Sequence, residues 1–180
     1  MKPKVKVPTA QTFTRAMSSF TIVDPSADNA TGFLASVKNR MRTKFLLTTI
    51  SNLFADFNEE KFVLETIDNY NKLGAAVKRF DKSEIMRLCA YPVEEFITKA
   101  HATQCPLPFK IHPHIEHCKI INARKFVQDM EEATSIRTWY QISLQLRALD
   151  VQNHTVSQRV IVERREADLN IPVWRFAYLE

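Results

Sequence analysis

The hydrophobic period changes once along this chain, and that change divides it by secondary structure. Up to about residue 110, apolar residues recur every three or four positions; from about residue 139 they recur every second position. The first spacing lines one face of a helix and the second lines one face of a strand. The chain is therefore expected to be helical first and sheet-forming second. Helices grouped ahead of consecutive, closely linked strands make an α+β fold, with the helices on one face of a curved, four-stranded antiparallel sheet.

The most regular helix is expected from about Asn58 to Phe80. Val63, Ile67, Tyr70, Leu73, Val77 and Phe80 form its apolar stripe. Glu59, Glu60 and Glu65 stand early and Lys78 and Arg79 late, which complements the helix dipole. Asp81-Lys82-Ser83-Glu84 reads as a capping box that opens a short helix with Ile85, Met86 and Leu88. Tyr91-Pro92 ends that element, a further helix buries Val93, Phe96, Ile97 and Ala100, and Pro106 and Pro108 close the helical half. An earlier helix over 31–50 places Phe33 or Leu34, Val37, Met41, Phe45 and Thr48 toward the core, with Lys38, Arg40, Arg42 and Lys44 on its flanks. It reads as a core helix with a solvated basic edge, or as a helix lying on RNA or anionic lipid.

In the second half, Tyr140, Ile142, Leu144, Leu146 and Ala148 alternate with Gln141, Ser143, Gln145 and Arg147. This is the pattern of a half-buried antiparallel strand, one set facing the core and the other facing solvent. Asp150–Thr155 supplies a turn. Val156–Glu166 returns with Val160 and Val162 on one face and Arg159, Glu163 and Arg165 on the other. Val173–Leu179 forms the last strand, with Trp174, Phe176 and Tyr178 sharing a face, and Ile115–Phe126 is a weaker strand ahead of these.

Charge is unevenly placed. Residues 1–50 carry eight basic groups, Lys2, Lys4, Lys6, Arg15, Lys38, Arg40, Arg42 and Lys44, against Asp24 and Asp28. The other 130 residues hold the remaining seventeen basic and eighteen acidic groups, so they are nearly neutral. Residues 1–30 are thus expected to be an extended basic arm, and 31–180 a single domain. Such an arm seeks a polyanion, either nucleic acid or an anionic membrane face, and those eight residues are its candidate contacts. The arm is poor in acids and rich in Ser and Thr, a composition that fits both a mitochondrial targeting segment and a disordered basic tail. No apolar run reaches the ~20 residues that cross a bilayer.

Several chemistries are excluded or disfavoured by composition. The chain has two glycines, Gly32 and Gly74, where about thirteen are usual. A P-loop, a dinucleotide-binding G-x-G-x-x-G and a G-x-S-x-G elbow all need at least two glycines within a few residues, and these two are far apart. Three cysteines without a CxxC pair fit neither a disulfide scaffold nor a zinc finger. His112, His114, Glu116 and Cys118 would share one face of an extended segment, a donor set that zinc accepts. Neighbours two apart on one strand diverge, however, and no second Cys/His pair lies nearby, so no metal is expected there. Trp139 and Trp174 could stack on bases, but large aromatics on strands more often belong to a core.

The order of elements resembles the cone-shaped NTF2-like fold, and within it the Tim44-like branch with the mL45 family of the mitochondrial large ribosomal subunit. The resemblance covers about residues 40–178. It rests on Ile50–Phe62 ahead of the long helix, on Leu73–Leu88 with its acidic cap, on the strand Gln141–Arg147, and on Val160-Ile161-Val162-Glu163-Arg164 followed by Trp174-Arg175-Phe176. The resemblance implies a non-catalytic docking body in the mitochondrial matrix, peripheral to the inner membrane. It would sit near the peptide exit, contact rRNA and neighbouring ribosomal proteins, and help tether the ribosome to that membrane, with no cofactor. A Tim44-like accessory subunit of another inner-membrane assembly, such as the import motor or a respiratory or ATP-synthase complex, is the alternative. A third reading is a small NTF2-like enzyme with Glu116 or Glu163 as a buried carboxylate.

Overall fold

The computed structural model describes residues 33–128, 137–150, 152–166 and 173–180. Among these run four helices and then four strands: α1 (Phe33–Leu53), α2 (Glu59–Arg79), α3 (Lys82–Leu88), α4 (Tyr91–Thr103), β1 (His114–Gln128), β2 (Arg137–Leu149), β3 (Thr155–Arg165) and β4 (Arg175–Leu179). The strands pair antiparallel in the order β1-β2-β3-β4. This is the α+β arrangement expected from the change of period. Residues 1–32, including the proposed arm, lie outside the described residues.

Local signals set the helix ends. The Asn58 side chain accepts a hydrogen bond from the Lys61 N–H at 3.1 Å and so caps α2, and Asp81 accepts from the Glu84 N–H at 3.2 Å and caps α3. Pro92 stands in the first turn of α4, where a missing N–H costs nothing. With so few glycines, the left-handed residues that end α2 and α4 are Phe80 and Gln104, both at φ 52°. Each closes its helix by backbone bonds, Asp81 N–H to Ala76 O at 2.9 Å and Cys105 N–H to Ala100 O at 3.0 Å.

The alternating residues of β2 do face one core. Tyr140, Ile142, Leu144 and Leu146 are buried with Val160 and Val162 of β3 and with Tyr70 of α2, while Ile67 and Val77 pack at its margin. The face of α2 is turned slightly from the expected stripe. Its buried residues are Phe62, Thr66, Tyr70, Leu73 and Ala76, and Val63, Val77 and Phe80 are only half-buried. Thr66 tolerates burial because its hydroxyl donates to the Phe62 carbonyl at 2.8 Å. Gly74 permits a close approach here, since a Cβ at that position would stand 3.1 Å from Cγ2 of Ile111.

Three shifts of register break the strict alternation: at Glu116, at Ile121 and at Ala177. The last corrects the expected face of β4. Phe176 pairs with Val162 and joins the core, whereas Tyr178 pairs with Ile161 and packs with it on the opposite side of the sheet. Trp174 stays inside, with its ring 5.3 Å from that of Phe62 and 5.9 Å from that of Phe57. The far edge of β4 is extended by the α3–α4 link, where the Ala90 N–H donates to the Phe176 carbonyl at 2.9 Å. The outer face of β2 is also less solvated than alternation suggested, because Gln141 and Ser143 are buried.

Candidate anion-binding surface

The helix α1 has apolar residues on two opposite faces. Thr43, Leu47 and Ile50, followed by Phe54 just past its end, turn into the domain. Phe54 stands edge-on to Tyr140 at 5.7 Å, and the Thr43 hydroxyl donates to Oδ1 of buried Asn122 on β1 at 3.1 Å. This corrects the expected orientation of the helix. Leu34, Met41 and Phe45, expected in the core, are instead 81%, 70% and 73% exposed, and Val37 is exposed at 38%. The reason is visible in charge. Residues 45–53 carry no charged group, and the helix seats this half on the domain; residues 34–42 are exposed apart from half-buried Asn39 and hold three of its four cations.

Lys38, Arg40, Arg42 and Lys44 are all exposed. On a helical projection Lys38 and Arg42 fall on one side of the Leu34–Met41–Phe45 stripe, and Arg40 and Lys44 on the other. No acid occurs anywhere in Phe33–Leu53. The cations are thus collected on one projecting element. The other expected contacts, Lys2, Lys4, Lys6 and Arg15, lie outside the described residues.

A second grouping of cations is hidden in the sequence because the body is neutral on average. The register of the sheet puts Lys119, Arg124, Arg147, Arg159, Arg165 and Arg175 on its outer face together with Glu163. Glu163 accepts from Nε2 of Gln141 at 3.2 Å. Burial, with the nearby Arg159 charge, lowers the pKa of Arg124. Strand alternation alone groups Arg147 of β2 with Arg159 and Arg165 of β3, but only the register shift at Ile121 brings Lys119 and Arg124 to the same face.

The remaining candidates are dispersed. The shift at Glu116 sends Cys118 into the core opposite Leu146, while His114, Glu116 and His117 stay exposed and His112 is half-buried. The expected single face of His112, His114, Glu116 and Cys118 is therefore not formed, and among the described residues no group of three metal-binding side chains comes together. Burial pushes the Cys118 thiol up to about 12. Neither carboxylate of the enzyme reading lies in the core: Glu116 is exposed and Glu163 is on the outer face. Trp139 and Trp174 are buried and offer no platform for bases. His101 is exposed and stacks flat on Phe80, ring centroids 3.5 Å apart. No described helix is long and apolar enough to cross a membrane.

No family model matches this chain, and no curated protein matches it.

Proposed function

We propose that this protein is a non-catalytic docking subunit with an NTF2-like domain of the Tim44-like kind. It works in the mitochondrial large ribosomal subunit near the peptide exit, contacts rRNA and neighbouring ribosomal proteins, and helps hold the ribosome to the inner membrane. The observation that carries this reading is α1, an acid-free helix whose first turns stand clear of the domain with four cations in solvent. A projecting cationic element suits a polyanionic partner, and phosphate contacts through it give a salt-dependent hold. Helices followed by a four-stranded meander are the element order of the NTF2-like fold. Aliphatic side chains, Ile142, Leu144, Leu146, Val160 and Val162, fill the sheet face on which an enzyme of that fold would place its carboxylate.

The test is sedimentation of the tagged protein from mitochondrial extract on a salt-controlled gradient. Co-migration with large-subunit rRNA is expected. Migration with membrane complexes and never with that rRNA would overturn the ribosomal assignment and favour an accessory subunit of another inner-membrane assembly.

A further inference from the structure

We infer that this chain pairs with a second copy of itself: in each copy the projecting end of α1 lies on the start of α2 in the other, its Leu34–Met41–Phe45 stripe against Leu64 and its cations against Glu59 and Glu60. This rests on the reading of α1 as a docking element and names what covers it in the unassembled subunit.

The four most exposed large apolar side chains among the described residues are Leu34, Phe45, Met41 and Leu64, at 81%, 73%, 70% and 68%. Three stand on α1 and the fourth on α2, so a single chain leaves both surfaces uncovered. Leu64 and half-buried Val63 line an open groove of about 720 Å³ with Asn58, Glu59 and Glu60. Farther along α2 the acids are committed on their own helix, Glu65 with Lys61 at 3.5 Å and Asp68 with Lys72. Glu59 and Glu60 are exposed and enter no ion pair among the described residues. The projecting end of α1 is opposite in charge: its apolar stripe is flanked by Lys38, Arg40, Arg42 and Lys44, with no acid. Laid together, the two surfaces put apolar on apolar and cation on carboxylate. RNA or an anionic leaflet would engage α1 but be repelled by Glu59 and Glu60, whereas a second copy satisfies both surfaces. One such contact is small, since the stripe from Leu34 to Phe45 is about 17 Å long at 1.5 Å per residue. A two-fold axis makes the exchange reciprocal and closes the assembly at two chains. It also doubles the contact toward the roughly 800 Å² per partner that stable protein pairs bury.

The experiment is sedimentation equilibrium of the purified full chain from about 1 to 200 µM. Three variants are compared with the parent: Glu59→Lys with Glu60→Lys; Lys38, Arg40, Arg42 and Lys44 all to Glu; and Leu64→Ser, which keeps every charge. These positions are exposed, so the fold should persist, and circular dichroism checks it. The parent should pass from monomer to dimer as concentration rises, and less readily at high salt. Each variant alone should need at least about tenfold more protein to pair. An equimolar mixture of the two charge-reversed variants should pair as the parent does. In it the basic α1 of the first meets the acidic groove of the second, and the acidic α1 of the second meets the basic groove of the first. A parent that stays monomeric throughout would overturn the inference, as would reversed variants that pair as well as the parent, or a mixture that does not recover. Growth beyond two chains would overturn the two-fold exchange. The two readings fail separately. Pairing without ribosome association leaves this inference and removes the ribosomal assignment; ribosome association by a chain that never pairs does the reverse.

Discussion

Nη1 of Arg164 lies 2.8 Å from Oδ2 of Asp56, joining the third strand to the turn between the first two helices across 108 residues of sequence. The Arg164 side chain is fully buried, and its guanidinium stands 4.1 Å above the Phe54 ring. Asp56 is 38% exposed, and its hydrogen bond to Arg164 holds its carboxyl below the usual range. A buried charge deprived of one partner is costly, while the partner's exposure screens part of the loss. Asp56→Ala should therefore lower stability by about 2–3 kcal/mol in a urea titration. Adding Arg164→Met should recover part of it, and a double variant weaker than the single would refute this account. Because the folded pKa of Asp56 is depressed, its contribution is present above the unfolded value near 3.8 and is lost as pH falls through the folded one.

The buried Gln158 gathers three segments. Its Oε1 accepts from the Tyr70 hydroxyl at 2.5 Å, and its Nε2 donates to the carbonyls of Lys110 at 2.7 Å and Glu180 at 2.9 Å. The Tyr70 oxygen in turn accepts from the His112 N–H at 3.0 Å. Tyr70→Phe removes both bonds and should cost about 1–3 kcal/mol. In the adjoining core, Leu144→Ala should cost about 2–5 kcal/mol by leaving a cavity. Equal denaturation midpoints for parent and variants would contradict both assignments.

Gln104 ends α4 in the left-handed conformation, where a Cβ crowds the backbone. It is exposed, so little packing is at stake. Gln104→Gly should raise stability by roughly 0.5–1 kcal/mol, read as a higher melting temperature. Phe80 has the same φ but also stacks on His101, so the corresponding change there should gain less.

Of the three cysteines, Cys105 is exposed and Cys89 and Cys118 are buried, and burial pushes both buried thiols up to about 12. A thiol reagent at mild pH should label one cysteine quickly and the other two only on unfolding. The Tyr70 hydroxyl is likewise raised by burial to about 12. All three folded values lie above the unfolded ones, so their contribution is complete below about pH 9 and is lost as pH climbs toward 12. Stability measured along that range should fall, and a flat profile would contradict their burial.

Changing Lys38, Arg40, Arg42 and Lys44 to Gln should leave the melting temperature within about a degree or two, because exposed charges add little to stability. If rRNA also docks on this helix, the slope of log affinity against log salt should shrink by ~0.7–0.9 for each phosphate that the variant no longer neutralises. An unchanged slope would move any RNA binding to the outer sheet face around Arg147 and Arg165.

Local chemistry was legible in the sequence. The change of period announced helices before strands, Asn58 and Asp81 marked two helix starts, and the run Tyr140 to Leu146 identified the inner face of β2. These readings held because caps and alternation are decided within a few residues. The orientation of α1 was not legible. Its two apolar faces have the same spacing, and only the segments opposite, Asn122, Tyr140 and the charge-free half of the helix, decide which face is buried. Nor could spacing reveal the bulges at Glu116, Ile121 and Ala177, each of which moves later side chains to the other side of the sheet. Gln158 and Arg164 are buried for the same reason, since their partners Tyr70 and Asp56 come from distant segments. Periodicity says which residues share a face; which face meets the core depends on partners that only the folded chain brings together.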